Sequence, residues 1–307
     1  MEKAERALAA FSRRCLALLS LRCILCFMRP FAEQTILITG ATNGLGLALV
    51  QALAEKGATV LLHGRDNKRG LAILDEIRQE TGNSKLHFYC ADLASLQQTS
   101  ELARQVAAEQ PRLDVLVNNA AVGFGKDSSK REISQDGYEL RFAVNYLAPY
   151  LLVQGLLPKL KASAPARIVN VASVGQAPLN FEDIMSERGY SGVTTYRQSK
   201  LAMIGWTFDL AAQLANTGVT VNALHPASLM PTKMVLEAGW SVMSTVEEGL
   251  EATMRLIVDP ALDDVTGKYF DGLREAKANA QAYDVEVRRQ LAELTEKLVG
   301  MATSRSA

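Results

Sequence analysis

Two spacings of apolar residues alternate along this chain. Short, nearly continuous apolar runs occupy residues 35–39, 59–63, 85–89, 113–117, 166–172, 220–224 and 267–270. Such runs predict strands buried on both faces of a sheet. Between them, longer helical patterns cover 45–56, 67–79, 96–109, 135–161, 195–216, 246–258 and 286–299. The punctuation agrees. Gly57, Gly82 and Gly218 follow helical stretches as C-caps do, Ser95 precedes one as an N-cap, and Pro111 ends one. Pro149 falls inside the 135–161 stretch and predicts a kink there.

Strands separated by helices of this length predict parallel βαβ units. The expected fold is α/β: a single doubly wound (Rossmann) domain over 33–275, with a mostly seven-stranded parallel sheet flanked by helices. Residues 1–32 form an N-terminal extension in this reading, and 276–307 a C-terminal helical tail. The chain has 307 residues, 48% apolar and 21% charged, enough to build one sizeable core. Its formal net charge is zero, so nothing predicts a nucleic-acid partner. Weak charge repulsion leaves a homo-oligomer open. The stripe Leu201, Ile204, Phe208 and Ala211 fits either such an interface or the core.

Three of the four cysteines, Cys15, Cys23 and Cys26, lie near the start; the fourth is Cys90. Cys23 and Cys26 have redox or metal spacing but no second ligand pair, so they read as unpaired thiols, and no metal site is expected. The run 15–28 is apolar, flanked by Arg13, Arg14 and Arg29 and broken by Arg22. A secretory signal would lack that internal arginine, and a membrane span needs about 20 apolar residues. A basic amphipathic surface helix also fits. Met28-Arg29-Pro30-Phe31 leads directly into the first strand, so 1–27 reads as a dispensable extension of a cytoplasmic protein. Deleting 1–27 is expected to leave a folded, active protein that fractionates as the full chain does. Loss of folding would refute this.

The first strand ends in Thr39-Gly40-Ala41-Thr42-Asn43-Gly44-Leu45-Gly46, directly before a helix. A glycine turn opening onto a helix N-terminus offers backbone N–H groups and a favourable dipole to a pyrophosphate. The second strand ends in His63-Gly64-Arg65-Asp66-Asn67-Lys68. Gly64 brings no carboxylate for a ribose hydroxyl, whereas Arg65 offers a fork for a 2′-phosphate, aided by Lys68. This chemistry favours NADP(H); Asp66 keeps NAD(H) possible. Tyr196 and Lys200 stand four apart on one helix face, where an ammonium is expected to lower the phenol's pKa toward neutrality. Ser173 follows the fifth strand, at the carboxyl edge where doubly wound sheets place their sites.

Taken in order, Thr39-Gly40-x-x-x-Gly44-x-Gly46, Asp92, Asn118-Asn119-Ala120, Asn145, Ser173 and Tyr196-x-x-x-Lys200 resemble the short-chain dehydrogenase/reductase family from about residue 34 to 272. The insert Leu179-Asn-Phe-Glu-Asp-Ile184, Tyr190 and the ending Gly267-Lys-Tyr-Phe270 resemble its retinol-dehydrogenase-like and protochlorophyllide-reductase-like branch. The resemblance implies hydride transfer between nicotinamide and a carbonyl or alcohol, with Tyr196 as acid–base. Lys200 would bind the nicotinamide ribose, Ser173 would position the substrate oxygen, and Asn145 would hold a relay water. Gly40, Thr42, Asn43, Gly44, Leu45 and Gly46 would cradle the cofactor. It also implies Asp92 and Leu93 by the adenine, Asn119 and Ala120 by its ribose, and Pro226 and Thr232 by the nicotinamide. The sequence departs from the family at Ala121 and Ala227, where glycine is usual. A non-catalytic dinucleotide-sensing or interaction protein on the same fold is the alternative; the presence of Ser173, Tyr196 and Lys200 together argues for chemistry.

Overall fold

Each of the apolar runs forms a strand, displaced by no more than two residues, in the computed structural model, which describes residues 28–305. The strands are β1 (Thr35–Ile38), β2 (Thr59–Gly64), β3 (Leu86–Cys90), β4 (Val115–Asn118), β5 (Ala166–Val171), β6 (Val219–His225) and β7 (Tyr269–Asp271). They pair in parallel in the order β3-β2-β1-β4-β5-β6-β7. An eighth strand, β8 (Arg274–Ala276), pairs antiparallel with β7. It carries charged, largely exposed residues, so no apolar run marked it. Strand order reverses between β1 and β4, which places a crevice beyond their carboxyl ends.

Alternate residues of the strands feed two apolar layers. Leu37, Leu61, Leu116 and Ile168 face one layer, and Ile36, Ile38, Val60, Val117 and Val169 the other. Both faces are covered by helices, which explains why the strands lack polar alternation. The main helices are α1 (Gly44–Glu55), α2 (Asn67–Thr81), α3 (Leu96–Glu109), α4 (Ala148–Ala162), α5 (Gly192–Gln213), α6 (Lys233–Glu237), α7 (Val246–Val258) and α8 (Val285–Arg305).

One helical expectation needs correction. Residues 135–139 are not helical: Gly137 adopts φ +86° and Ile133 bridges to Glu139. The helical path begins with a single turn at Leu140–Phe142, passes through a π-turn at Ala143–Leu147 and continues as α4. Pro149 stands at the start of α4, so its missing N–H falls where the ladder has already changed register.

The α5 stripe packs within the chain. Leu201 and Ile204 are buried, and Phe208 stacks on Tyr283 at 5.1 Å. Helix α8 buries Leu291 and Thr295, and Thr295 meets the Tyr146 hydroxyl at 2.7 Å. The three N-terminal cysteines and the basic apolar run before Met28 lie outside the described residues.

Candidate active site

The glycine turn is shaped by contacts a side chain would destroy. Gly40 (φ +66°) and Gly44 (φ +51°) are left-handed. A Cβ on Gly40 would lie 2.8 Å from the Ala120 Cα, and one on Gly46 only 2.2 Å from the Gly40 carbonyl oxygen. The turn is thereby pressed against the end of β4. The Thr39 hydroxyl oxygen accepts the N–H groups of Asn119 and Ala120 at 3.0 Å each, and Asn119 Nδ2 donates to the carbonyls of Thr39 and Gly40. Asn43 is the N-cap residue of α1, and Gly44, Leu45 and Gly46 form its first turn, whose N–H groups have no acceptor within the helix.

His63, at the end of β2, clamps the glycine turn. Its Nδ1 accepts the Gly40 N–H at 3.3 Å, and its Nε2 lies 3.0 Å from the Ala91 carbonyl oxygen. Burial lowers its pKa to about 4, so the ring is neutral and ties together the ends of β1, β2 and β3.

At the end of β2, Arg65, Lys68 and Arg69 are exposed. Asp66 is engaged: its side chain caps α2 by accepting the Arg69 N–H at 3.0 Å. Arg69 Nε donates to the Thr42 carbonyl at 3.2 Å, which brings a second guanidinium over the glycine turn. Sequence reasoning missed Arg69; the available signal was a further arginine four positions beyond Arg65. Thr42 also packs against Gly64, where a Cβ would fall 2.7 Å from its methyl carbon. The Asp92 carboxylate accepts the Ala94 N–H and Gln135 Nε2, and Leu93 is buried.

The catalytic candidates converge at the same edge of the sheet. Ser191 caps α5, which presents Tyr196 and Lys200, both buried. Lys200 Nζ donates to the Val171 carbonyl at the end of β5 at 2.7 Å and sits 5.7 Å from the centre of the Tyr196 ring. Burial lowers the Lys200 pKa to about 7. The Tyr196 phenol is also affected first by burial, which raises it above 10.0, and a hydrogen bond from Ser173 offsets part of that rise. Burial thus acts on the phenol in the opposite direction to the lowering expected from the nearby ammonium.

Ser173 is held from behind. Its hydroxyl oxygen accepts the Gly175 N–H at 3.0 Å, which leaves the hydroxyl proton for Tyr196. Its carbonyl accepts Gln176 Nε2 and the Tyr269 hydroxyl. These two supports were not visible in sequence because they come from a loop and from β7. Asn145, in the π-turn, has a fully occupied side chain: it accepts from the Val122 N–H at 2.7 Å and donates to the Val122 carbonyl and the Ser199 hydroxyl. Its backbone carbonyl lacks the α-helical donor four residues on, since that residue is Pro149.

The Thr232 methyl lies against Gly44, 2.9 Å from where a Cβ would stand. Pro226 is buried and, with His225, Ser228 and Asp271, lines a cavity of about 290 Å³ at the ends of β6 and β7. Neither Ala121 nor Ala227 adopts positive φ, so these replacements of the usual glycine carry no backbone strain. The residues between α6 and α7 include Trp240, whose ring stacks on Phe124 at 4.4 Å; Phe124 in turn meets Tyr196 edge-on at 4.7 Å.

Comparison with known proteins agrees with this geometry. The family model described as short chain dehydrogenase matches residues 34–239. Retinol dehydrogenase 13 of Mus musculus is 38% identical over 287 residues, covering 88% of this chain and 84% of the relative. Retinol dehydrogenase 14 of Homo sapiens is 35% identical over 295 residues, covering 87% of each. Among solved structures, a short chain dehydrogenase from Shigella flexneri complexed with NADP has a TM-score of 0.65 at 26% identity, covering 79% of this chain and 98% of its own. A short chain dehydrogenase from Escherichia coli complexed with NADPH gives 0.64 at 27%, covering 79% and 97%. With its Rossmann-like sheet and glycine turn in place, this chain belongs to the short-chain dehydrogenase family and is an NAD(P)-dependent oxidoreductase.

Proposed function

We propose that this oxidoreductase uses NADP(H) to interconvert an apolar carbonyl compound and its alcohol, with Tyr196 as the acid–base group. One observation carries the reading: the buried phenol of Tyr196, with Ser173 and Lys200, stands at the same sheet edge as the glycine turn. The cofactor fits the residues present. Gly40, Gly44 and Gly46 keep clear a cradle that Cβ atoms would fill, and three cations surround the end of β2 while its carboxylate is engaged as a cap. The NADP and NADPH complexes of similar structures support the same preference, and the retinol dehydrogenase relatives support an alcohol–carbonyl pair. NAD(H) is the alternative cofactor.

When bound, the nicotinamide supplies or accepts the hydride. Thr42, Asn43, Leu45 and the glycines hold the pyrophosphate, and Arg65 with Arg69 takes the 2′-phosphate. Asp92 and Leu93 would border the adenine, Asn119 and Ala120 its ribose, and Pro226 and Thr232 the nicotinamide. Lys200 gives one ammonium proton to Val171 and offers the others to the nicotinamide ribose. In the reducing direction Tyr196 hands its proton to the substrate oxygen, and in the oxidising direction it takes that proton back. Ser173 donates to the same oxygen, its own oxygen being fixed by Gly175. Asn145 acts through its backbone carbonyl, which accepts from the relay water, because its side chain is committed to Val122 and Ser199.

We place the enzyme in the cytoplasm, with membrane contact through residues 1–27 as the alternative; among the described residues no helix is long and apolar enough to cross a membrane. A carbonyl panel followed by NADPH and NADH absorbance tests the activity. Arg65→Ala is expected to weaken NADPH binding about 10- to 100-fold, the range of a lost charge-assisted hydrogen bond, and NADH binding by much less. Equal weakening of the two would refute the 2′-phosphate assignment.

A further inference from the structure

Behind the catalytic candidates lies a buried charged cluster that the reaction does not use. Arg141 and Glu139 are both fully buried. Arg141 Nε donates to the Gly123 carbonyl at 2.8 Å, and its Nη2 to Glu132 at 3.0 Å. Its Nη1 donates to Glu139 at 3.1 Å and to the Tyr190 hydroxyl. The Tyr190 hydroxyl donates onward to Glu139 at 3.1 Å, and the other Glu139 oxygen accepts the Phe142 N–H at 2.8 Å. Burying such a pair costs desolvation energy that its attraction roughly offsets, so the cluster is a poor source of net stability. What it fixes is geometry.

Three segments of the site meet at this one guanidinium. Arg141 opens the helical path to Asn145, Gly123 precedes Phe124, and Tyr190 precedes the catalytic helix. The Phe124 loop is closely fitted there. A Cβ on Gly125 would fall 2.6 Å from Arg141 Nη2, and one on Gly192 would fall 2.3 Å from the Phe124 carbonyl oxygen. Phe124 emerges between the Tyr196 and Trp240 rings, at 4.7 and 4.4 Å from their centres. Met234 packs beside it against Gly123. The surface next to the phenol is thus aromatic and apolar, and it is set by a buried arginine fork.

We propose that Phe124 is the specificity-determining wall beside the Tyr196 phenol, and that Arg141, Glu139 and Tyr190 are positioning residues that hold it there. The wall selects carbonyl compounds carrying a bulky apolar group over small ones. This inference rests on Tyr196 being the group that meets the substrate oxygen.

Benzylacetone and butanone, which share a methyl ketone and differ by a phenyl group, are the probes. Calorimetry with NADP+ bound measures their affinities with no hydride available. The wild type is expected to bind benzylacetone at least tenfold more tightly. Phe124→Ala and Arg141→Met should each reduce that ratio to threefold or less while NADP+ affinity stays within threefold of wild type. Tyr190→Phe removes a single hydroxyl and should lower the ratio by at least threefold, which keeps the test open if Arg141→Met does not fold. A wild type that binds NADP+ yet shows no preference overturns the wall. A ratio unchanged in Tyr190→Phe, or one that falls only together with NADP+ affinity, overturns the positioning role. A wild type that binds no NADP+ instead overturns the function proposed above and takes this inference with it.

Discussion

Tyr196→Phe is expected to lower kcat by about 10²–10⁴-fold, the usual contribution of a positioned proton donor, while NADPH binding changes little. The substitution removes only the hydroxyl. The ring keeps its edge-on contact with Phe124 and its place on α5, so the backbone of the site has no reason to move. The phenol suits proton donation in the reducing direction because burial holds it protonated at neutral pH. The Ser173 hydroxyl bonds to the phenol before substrate arrives, and with substrate in place it gives that one proton to the substrate oxygen. Without the phenol, the oxygen that receives hydride carries charge that Ser173 alone must meet. Stopped-flow measurement of NADPH oxidation, with cofactor affinity titrated separately, makes the comparison. Turnover within tenfold of wild type would remove Tyr196 from the acid–base role.

The second large effect concerns Lys200 and stability rather than rate. In the unfolded chain its ammonium has a pKa near 10.5, and in the folded chain burial lowers it to about 7. Between those values the unfolded state binds more protons, so folding stability rises as pH increases from 7 toward 10.5. Below pH 7 both states are protonated and this contribution is flat at its most unfavourable. The full difference corresponds to roughly 4–5 kcal/mol, of which about 3 kcal/mol is recovered by pH 9.5. Lys200→Met keeps an apolar side chain of similar length and cannot titrate. Thermal melts of ligand-free wild type and Lys200→Met at pH 7 and pH 9.5 should therefore diverge. The wild type should gain several degrees relative to the variant at the higher pH. Parallel changes in Tm would mean that the ammonium is not destabilised by burial.

The parts of this account that were legible in sequence are those encoded by local periodicity. The β1 run, the glycines at 40, 44 and 46, and the four-residue spacing of Tyr196 and Lys200 each express a short-range rule, and the structure puts them where that rule predicts. Residues 135–139 are not helical because Ser134-Gln135-Asp136-Gly137 carries turn chemistry in place of apolar spacing, and the left-handed backbone of Gly137 and the pairing of Ile133 with Glu139 exclude helix. The π-turn was hidden for a different reason. Every residue from Arg141 to Pro149 is buried, so the stretch has no polar face against which a change of register could be read, and Pro149 signalled only a break nearby. His63, Arg69, Tyr269 and the Arg141 cluster act through contacts between residues distant in the chain. No single-sequence pattern specifies which of them meet. For Tyr196, counting one nearby ammonium leaves out the desolvation that acts on both groups.

The central claim is that hydride passes directly from bound nicotinamide to a substrate carbon beside Tyr196. NADPH carrying deuterium at both C4 positions, incubated with a turned-over carbonyl compound, tests it by mass spectrometry of the alcohol formed. The account predicts one deuterium on the carbinol carbon of each product molecule, in wild type and in the residual turnover of Tyr196→Phe alike. Product alcohol with only solvent hydrogen at that carbon would contradict it.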